Sequence, residues 1–338
     1  MKCYKLGANQ LGEFVNHLQN QRTVFAPHKK GQKSFSFEKV ENAENVVLNY
    51  PRTLSSIKKY FLPNRETLLN FDMQNQSFDA PKIEEADAVF LGVHSYDMQA
   101  VLKLDYNFSQ GNPEKNYLKR RENAIFIGVS FTPDEFHFSA SVGIYPNLLT
   151  GFDLFLHQMD DEFVVEVVTK TGEKLLDGFD LPEFLEMTFC DKNFKSEINE
   201  KPENLPEIFA KSWDNPIWKE MAELCVGCGT CNLVCPTCYC FNVEDCVNLQ
   251  LSGGTRERHL DGCMLREFTE VAGGEVFRET LAARMRHRIY RKFKYISDTT
   301  GEPWCVGCGR CTASCTARIS IVDIVNRLIE DFDKERVN

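Results

Sequence analysis

Two runs of cysteines have the residue type and the spacing that bind iron–sulfur clusters. Both runs follow the pattern C-x2-C-x2-C-x3-C, and both begin with the pentapeptide CVGCG. The eight residues are Cys225, Cys228, Cys231, Cys235, Cys305, Cys308, Cys311 and Cys315. In two-cluster proteins with this spacing, three thiolates of a run bind one cluster and the fourth binds the other. The pattern therefore predicts two neighbouring [4Fe–4S] clusters in a protein that conducts electrons.

Other uses of closely spaced cysteines fit this pattern less well. Structural zinc sites join two C-x2-C pairs around one ion and have no use for the third and fourth cysteines of each run. A disulfide framework fits less well still. One departure from the bacterial ferredoxin pattern is Thr316, which follows the second run where Pro236 follows the first. Because this proline is not a ligand, the set of eight thiolates stays intact.

Four more cysteines lie between the two runs: Cys238, Cys240, Cys246 and Cys263. So many thiols beside two clusters are able to hold a further metal ion or a [2Fe–2S] centre. However, their spacing, C-x-C-x5-C-x16-C, matches no compact ligand pattern, and cysteine is also a common buried apolar residue. The sequence leaves both interpretations open, a third centre and simple packing.

The composition is that of an ordinary globular protein, with 43% hydrophobic and 26% charged residues among 338. The formal net charge of −10 argues against binding to nucleic acid or to anionic membranes. The sequence shows no run of about 18 apolar residues and no secretory signal. Fourteen cysteines in a chain without an export signal indicate thiols that are kept reduced. We therefore expect a cytoplasmic protein that works at low oxygen.

The cysteines divide the chain, because only Cys3 and Cys190 precede position 225. Residues 1–200 are expected to form a mixed α/β domain, in which continuous apolar runs indicate buried strands and helical periodicity indicates helices. The predicted strands are Thr23–Ala26, Asn45–Leu48, Ala88–Val93, Ala124–Val129 and Phe163–Val168, and the predicted helices are Leu11–Gln19 and Asp97–Tyr106. A polar, proline-bearing segment at about 191–215 is predicted to be a linker.

Residues 213–338 are expected to form a mostly helical dicluster domain of the ferredoxin type. Helical periodicity marks Trp213–Leu224, Gly273–Tyr295 and Ile319–Phe332. The predicted fold class is therefore α+β, a mixed α/β domain followed by this helical domain. The second of the three helices is rich in arginine and lysine. Its charges either compensate negative clusters and attract an acidic partner, or form an ordinary solvated face.

The sequence shows no reaction centre other than the cysteines. It contains neither G-x-G-x-x-G after a strand nor G-x-x-x-x-G-K-[ST]. No nucleophile–base pair is recognisable, so no catalytic residue is predicted. His94 and His137 lack partners at ligand spacing and are interpreted as surface or loop residues. An electron-transfer protein without a flavin or nicotinamide site must receive electrons from one protein and pass them to another.

Segments beyond the cysteine runs also follow an order found in one known family. They are TVFAP (Thr23–Pro27), LGVHSYDMQAVLKLDYNF (Leu91–Phe108), GNPEKNY (Gly111–Tyr117), Cys225–Cys240, Asp261–Met264, Ala272–Glu279, Arg284–Arg288 and Cys305–Cys311. In these segments the chain resembles the iron–sulfur β subunit of cytoplasmic sulfhydrogenases and the corresponding dicluster subunit of anaerobic sulfite reductase. It departs from the family at His94, Ser95 and Tyr96, where relatives often have Arg, a small residue and Cys.

The resemblance implies two [4Fe–4S] clusters with crossed ligands. By position, one falls on Cys225, Cys228, Cys231 and Cys315, and the other on Cys235, Cys305, Cys308 and Cys311. It also implies a partner with FAD, a [2Fe–2S] centre and an NAD(P)H site, and a terminal catalytic subunit of the sirohaem sulfite reductase or nickel–iron hydrogenase type.

The sequence thus predicts a non-catalytic electron-transfer subunit of a multi-subunit oxidoreductase. We expect its N-terminal domain to dock a partner. The alternative is an enzyme with its own substrate-binding metal site on Cys238, Cys240 and Cys263.

Overall fold

Most strands lie in the N-terminal half of the chain, and the helices around the cysteine runs lie in the C-terminal half. The computed structural model describes residues 2–83, 87–160, 162–185 and 193–337, so Cys190 and the start of the predicted linker lie outside the described residues. The strands are β1 (Lys2–Leu6), β2 (Thr23–Lys29), β3 (Phe35–Lys39), β4 (Arg65–Asp72), β5 (Ser77–Asp79), β6 (Ala88–Val93), β7 (Ile125–Val129), β8 (Leu154–Met159), β9 (Glu162–Val167), β10 (Phe241–Val247) and β11 (Gly253–Leu260). The α-helices are α1 (Leu11–Gln21), α2 (Ser95–Ser109), α3 (Lys115–Arg121), α4 (Lys170–Leu175), α5 (Leu205–Lys211), α6 (Ile217–Leu224), α7 (Thr230–Leu233), α8 (Leu281–Tyr290), α9 (Ser297–Thr300), α10 (Arg310–Ala313) and α11 (Ile321–Val337).

A seven-stranded mixed sheet, in the order β1-β9-β8-β7-β6-β2-β3, forms the core of the N-terminal half. Strands β2, β6, β7 and β8 run parallel at its centre, and antiparallel strands lie at both edges. Every residue of β6 and β7 is buried, as expected for central parallel strands that are covered on both faces. The predicted strands in β2, β6, β7 and β9 and the predicted helices in α1 and α2 are confirmed.

The predicted strand Asn45–Leu48 is wrong. Residues Ala43–Asn45 form a short 3-10 turn, and only Val46 makes a single bridge, to His28. The side chains of Val46 and Leu48 are buried nevertheless, which explains the strand-like apolar pattern. The segment therefore contributes packing to the core without joining the sheet.

A second, antiparallel sheet joins strands from both halves of the chain, in the order β10-β11-β4-β5. Buried Glu66 on β4 accepts a hydrogen bond from Arg258 Nε on β11 at 2.9 Å and one from Arg120 Nη2 on α3 at 2.7 Å. The β10–β11 hairpin lies between the two cysteine runs and is an addition to the mostly helical region predicted there. Six of the seven residues of β10 are exposed, so the strand lacks the continuous apolar run that predicts a buried strand.

Helices α5, α6, α8 and α11 pack around an apolar core in the C-terminal half. Trp218, Tyr290 and Leu328 are buried in this core. Helix α5 lies in the segment that was predicted to be a linker, yet its side chains Ile208 and Phe209 are buried in the same core. This part of the predicted linker is therefore a packed element. Within the described ranges, no helix is long and apolar enough to cross a membrane.

The basic helix is shorter than the predicted Gly273–Tyr295. Gly273 and Gly274 have φ values of +100° and +80°, which a right-handed helix does not allow. Helix α8 begins instead after Thr280, whose hydroxyl accepts a hydrogen bond from the Ala283 N–H at 3.2 Å. A single π turn, Arg291–Tyr295, continues the helix at its C-terminal end.

Candidate iron–sulfur site

Each cysteine run folds into a loop that is followed by a one-turn helix. Helix α7 begins after Gly229 and helix α10 after Gly309, and these glycines have φ values of +71° and +68°. Two positions earlier, Gly227 and Gly307 have φ values of +69° and +63°. Glycine adopts this left-handed conformation readily, whereas other residues do so at a cost. The CVGCG repeat in the sequence therefore gives two loops with the same backbone shape.

The eight predicted ligands fall into two groups of four. The first group lines one cavity and consists of Cys225, Cys228, Cys231 and Cys315, and all of these except Cys228 also line a neighbouring cavity. The second group lines another cavity and consists of Cys235, Cys305, Cys308 and Cys311. Cys311 also borders the first group. The fourth cysteine of each run thus lies with the first three of the other run.

The thiols of each group line a space instead of converging on one point. In the described part of the chain, no three His, Cys, Asp or Glu side chains stand close enough together to hold a single metal ion. A [4Fe–4S] cluster is held by four cysteine thiolates, and its iron atoms occupy separate corners of a cube. Four thiols around a cavity, with sulfur as the donor atom throughout, therefore fit such a cluster.

The two loops differ in burial. Val226 and Cys228 of the first loop are exposed, and Val226 retains 70% of its accessible surface. The equivalent residues of the second loop, Val306 and Cys308, are buried, and Val306 retains 2%. The first group therefore reaches the protein surface at Cys228, whereas the equivalent Cys308 of the second group is buried, and the other six cysteines are half-buried.

A segment of the N-terminal half covers the second loop. The Phe138 N–H donates a hydrogen bond to the Gly307 carbonyl oxygen at 3.0 Å. A Cβ atom on Gly309 would lie 2.3 Å from the Phe136 carbonyl oxygen, and one on Gly307 would lie 2.4 Å from Ser139 Cα. These approaches are closer than any side chain allows, so the two glycines are required for packing as well as for backbone conformation.

A buried ion pair also joins the second loop to the N-terminal half. Arg310 lies between Cys308 and Cys311, and its two terminal nitrogens each donate to one carboxylate oxygen of Asp97 at 2.7 Å. Its Nε donates to the Thr53 carbonyl oxygen at 2.8 Å. Such a bidentate pair fixes both the distance and the orientation of its partners. Asp97 on α2 thereby positions the loop that carries Cys308 and Cys311.

Lys58 is a buried cation beside the cysteines. Its Nζ donates to the backbone carbonyl oxygens of Cys235 and Cys238 at 3.0 and 2.8 Å. Burial lowers the pKa of the Lys58 amine, and the nearby thiolates of Cys238 and Cys235 oppose this effect. Nothing in the sequence pointed to this residue, because it lies far from the cysteine runs.

Arg288 and Lys292 are two further buried cations beside the cysteines. Arg288 Nη2 donates to the Cys231 carbonyl oxygen at 3.2 Å, and Lys292 Nζ donates to the Thr237 hydroxyl at 2.7 Å. Burial opposes the charge of both side chains, but neighbouring cysteine thiolates raise the pKa of each above its ordinary value. Of the two interpretations of the basic helix, this burial favours charge compensation over a solvated face.

The three buried cations need a counter-charge, because an unpaired buried charge costs several kcal/mol. Among the residues that the structure describes, Lys58, Arg288 and Lys292 form no ion pair with a carboxylate. The negative charge beside them can come from cysteine thiolates. Burial raises the pKa of both the Cys231 and the Cys308 thiol to about 11, so these residues ionise near neutral pH only with a cationic partner such as iron.

The remaining cysteines separate into two sets. Cys238, Cys240 and Cys263 line one cavity together. Cys246 lies apart on strand β10, where it is paired with Thr255 of β11. The structure therefore brings together three of the four thiols that the sequence left open.

His94 and His137 lie outside the helices and strands, as predicted for loop residues, but neither is a surface residue, because both side chains are fully buried. His94 Nδ1 lies 2.6 Å from the Tyr96 hydroxyl, and His137 Nδ1 lies 2.8 Å from an Asp134 carboxylate oxygen. The Tyr96 ring lies 5.2 Å from both histidine rings and belongs to the apolar cluster that contains Cys308. These residues form part of the packing behind the second loop.

Comparisons with known proteins found one matching family model and one similar protein. Residues 224–319 match the family model of a 4Fe-4S dicluster domain. Over 347 aligned positions the chain is 34% identical to sulfhydrogenase 2 subunit beta of Pyrococcus furiosus, and the match covers 98% of this chain and 99% of that protein. No solved structure matches the chain significantly.

Proposed function

The chain belongs to the iron–sulfur subunit family that includes sulfhydrogenase 2 subunit beta, and from this we propose that it is an electron-transfer subunit of an oxidoreductase complex. The observation that carries the proposal is the crossing of the fourth cysteine of each run into the other group. We assign two [4Fe–4S] clusters, one to Cys225, Cys228, Cys231 and Cys315 and one to Cys235, Cys305, Cys308 and Cys311. When bound, these clusters supply one-electron oxidation and reduction.

Residues of the chain bind the clusters, enclose them and adjust their reduction potentials. Lys58, Arg288 and Lys292 stabilise the more negative, reduced state and thereby raise the reduction potential. The exposed loop around Cys228 brings the first group of ligands to a surface that a partner can reach. The covered loop keeps Cys308 of the second group away from solvent, and solvent exposure affects the reduction potential of a cluster.

We propose two partners for the chain. One carries FAD, a [2Fe–2S] centre and an NAD(P)H site, and the other is a terminal catalytic subunit of the sirohaem sulfite reductase or nickel–iron hydrogenase type. The name of the relative supports an assembly of several subunits, because that protein is the beta subunit of a sulfhydrogenase. We place the complex in the cytoplasm, with residues 1–200 as the docking domain and residues 213–338 as the dicluster domain.

Metal analysis of anaerobically purified protein tests the cluster assignment. We expect at least about eight iron and eight sulfide ions per chain and an electron paramagnetic resonance (EPR) signal after reduction. Cys228→Ser and Cys308→Ser should each remove about four iron ions and change the EPR spectrum. Cys246→Ser should retain all the iron, because this cysteine lies apart on β10. A colourless protein that contains zinc would overturn the proposal.

A further inference from the structure

A third group of thiols lies at the base of the β10–β11 hairpin. Cys240 immediately precedes β10 and Cys263 closely follows β11, and the two strands pair from Phe241 opposite Leu260. Just beyond this pair, the Asp261 N–H donates to the Cys240 carbonyl oxygen at 3.0 Å. The two ends of an antiparallel hairpin meet whatever its length, so the long spacing between these cysteines does not separate them in space.

Asn232 connects Cys238 to Cys263. Its Nδ2 donates to Cys238 Sγ at 3.7 Å and to Cys263 Sγ at 3.5 Å. Its Oδ1 accepts the Met264 N–H at 3.0 Å, and this bond identifies the end of the amide that faces the two sulfurs. A thiol sulfur is a weak acceptor, whereas a thiolate accepts strongly. A buried amide that directs its donors at two sulfurs therefore suits ligand thiolates better than inert thiols.

The cavity at this group is similar in size and in charge to the cavity of the second cluster. The space that this group lines, part of it open to solvent, measures about 280 Å³, compared with about 340 Å³ for the space that Cys308 borders. Arg291 and Lys292 line it beside the three cysteines. Cations around sulfur compensate thiolate-bound iron, whereas packed neutral thiols would leave them without a counter-charge. The cavity thus has both the donor atoms and the electrostatics of a cluster site.

We propose that Cys238, Cys240 and Cys263 bind a third iron–sulfur cluster, of the [4Fe–4S] type, in which one iron has no cysteine ligand. Such an iron is open to a small sulfur or oxygen donor, which the fully cysteine-ligated clusters are not. Cys246 is not a ligand, because it lies along β10 opposite Thr255 and not at the base of the hairpin. The third cluster is a separate site from the two assigned above.

The iron content of the anaerobically purified, unmodified chain tests this proposal first and needs no variant. We expect about twelve iron and twelve sulfide ions per chain, where two clusters alone would give about eight. A content of about eight, or a single additional metal ion, overturns the third cluster and leaves the electron-transfer proposal standing. A content well below about eight contradicts the electron-transfer proposal itself.

Variants then locate the additional iron. Cys240→Ser and Cys263→Ser should each lose about four iron ions, while the EPR signals of the other two clusters keep their shape. The matched control, Cys246→Ser, should lose none. Cyanide added to the unmodified protein should change one EPR signal, and this change should be absent in Cys263→Ser. Unchanged iron in both cysteine variants overturns the assignment.

Discussion

Arg310 and Asp97 form a buried bidentate ion pair that joins the second cysteine loop to helix α2. Helix α2 directly follows β6 in the centre of the seven-stranded sheet. The sheet of the N-terminal half therefore helps to determine where Cys308 and Cys311 lie. The two halves of the chain are coupled at this pair and also through the sheet that β4 and β11 share.

Removing the carboxylate of this pair should destabilise the protein strongly. Asp97→Ala leaves the Arg310 guanidinium buried without a counter-charge, and we expect the free energy of unfolding to fall by about 3–5 kcal/mol. Anaerobic denaturant unfolding of the cluster-loaded protein measures this change. The control is Glu220→Ala, which breaks an exposed pair with Arg327 and should cost less than about 1 kcal/mol. Equal losses in the two variants would show that the buried pair has no special role.

The two loop glycines should differ in their tolerance of alanine. Gly229→Ala places a side chain at φ +71° and meets only the flexible Leu265 side chain, so it should cost about 1–2 kcal/mol. Gly309→Ala has the same conformational cost and in addition meets the Phe136 carbonyl oxygen at 2.3 Å. We expect this second variant to be clearly less stable and to lose iron from the Cys308 group. Unfolding curves and iron analysis of the two variants, compared side by side, check the expected order.

Iron should leave the clusters proposed on the two cysteine runs at different rates. Cys228 is exposed and Cys308 is buried under the N-terminal half, so a chelator reaches the first group more easily. When an iron chelator is added anaerobically, we expect the EPR signal of the cluster on the Cys228 group to decay before the signal of the cluster on the Cys308 group, whatever the rate at the third group. In Cys228→Ser the earlier of these two decays should be missing. Simultaneous decay of the two signals in the unmodified protein would contradict the difference in exposure.

Lys292 should raise the potential of the cluster on the Cys308 group. Its buried ammonium stabilises added negative charge, so Lys292→Gln should lower the midpoint potential by about 50–150 mV. Lys294→Gln is a matched control, because Lys294 pairs with Asp298 nearer the surface of the same segment. Redox titration followed by EPR measures both shifts. Equal shifts in the two variants would mean that burial of Lys292 is unimportant.

The central strands could be predicted from sequence because they are buried on both faces. Ala88–Val93 and Ala124–Val129 are apolar throughout, so the side chains alone indicate the structure. Phe241–Val247 gives no such signal, because its side chains are mainly exposed and its position depends on backbone pairing with β11. When two paired strands lie far apart in sequence, no local sequence pattern predicts their pairing.

The same distinction applies to the site. The cysteine loops are local, and their glycines and cysteines lie next to one another in sequence. Lys58 and Asp97 come from distant parts of the chain, and no spacing relates them to the cysteines that they support. For the same reason the sequence alone does not bring together the three thiols at the hairpin base, because the distance from Cys240 to Cys263 along the chain indicates proximity only once the hairpin is known.

The unpaired interior charges of Lys58, Arg288 and Lys292 have a consequence for biogenesis. Before iron and sulfide arrive, burial keeps thiols such as Cys231 and Cys308 neutral, because it raises their pKa. A hydrogen bond from Cys238 and the charges of Lys292 and Arg288 hold the pKa of Cys235 well below its ordinary value, but one thiolate does not balance three enclosed cations, so their burial is strongly unfavourable. The newly made chain should therefore keep this region open to the cluster-delivery machinery. Insertion of the inorganic cores is then a step in the maturation of the polypeptide and precedes its final closure.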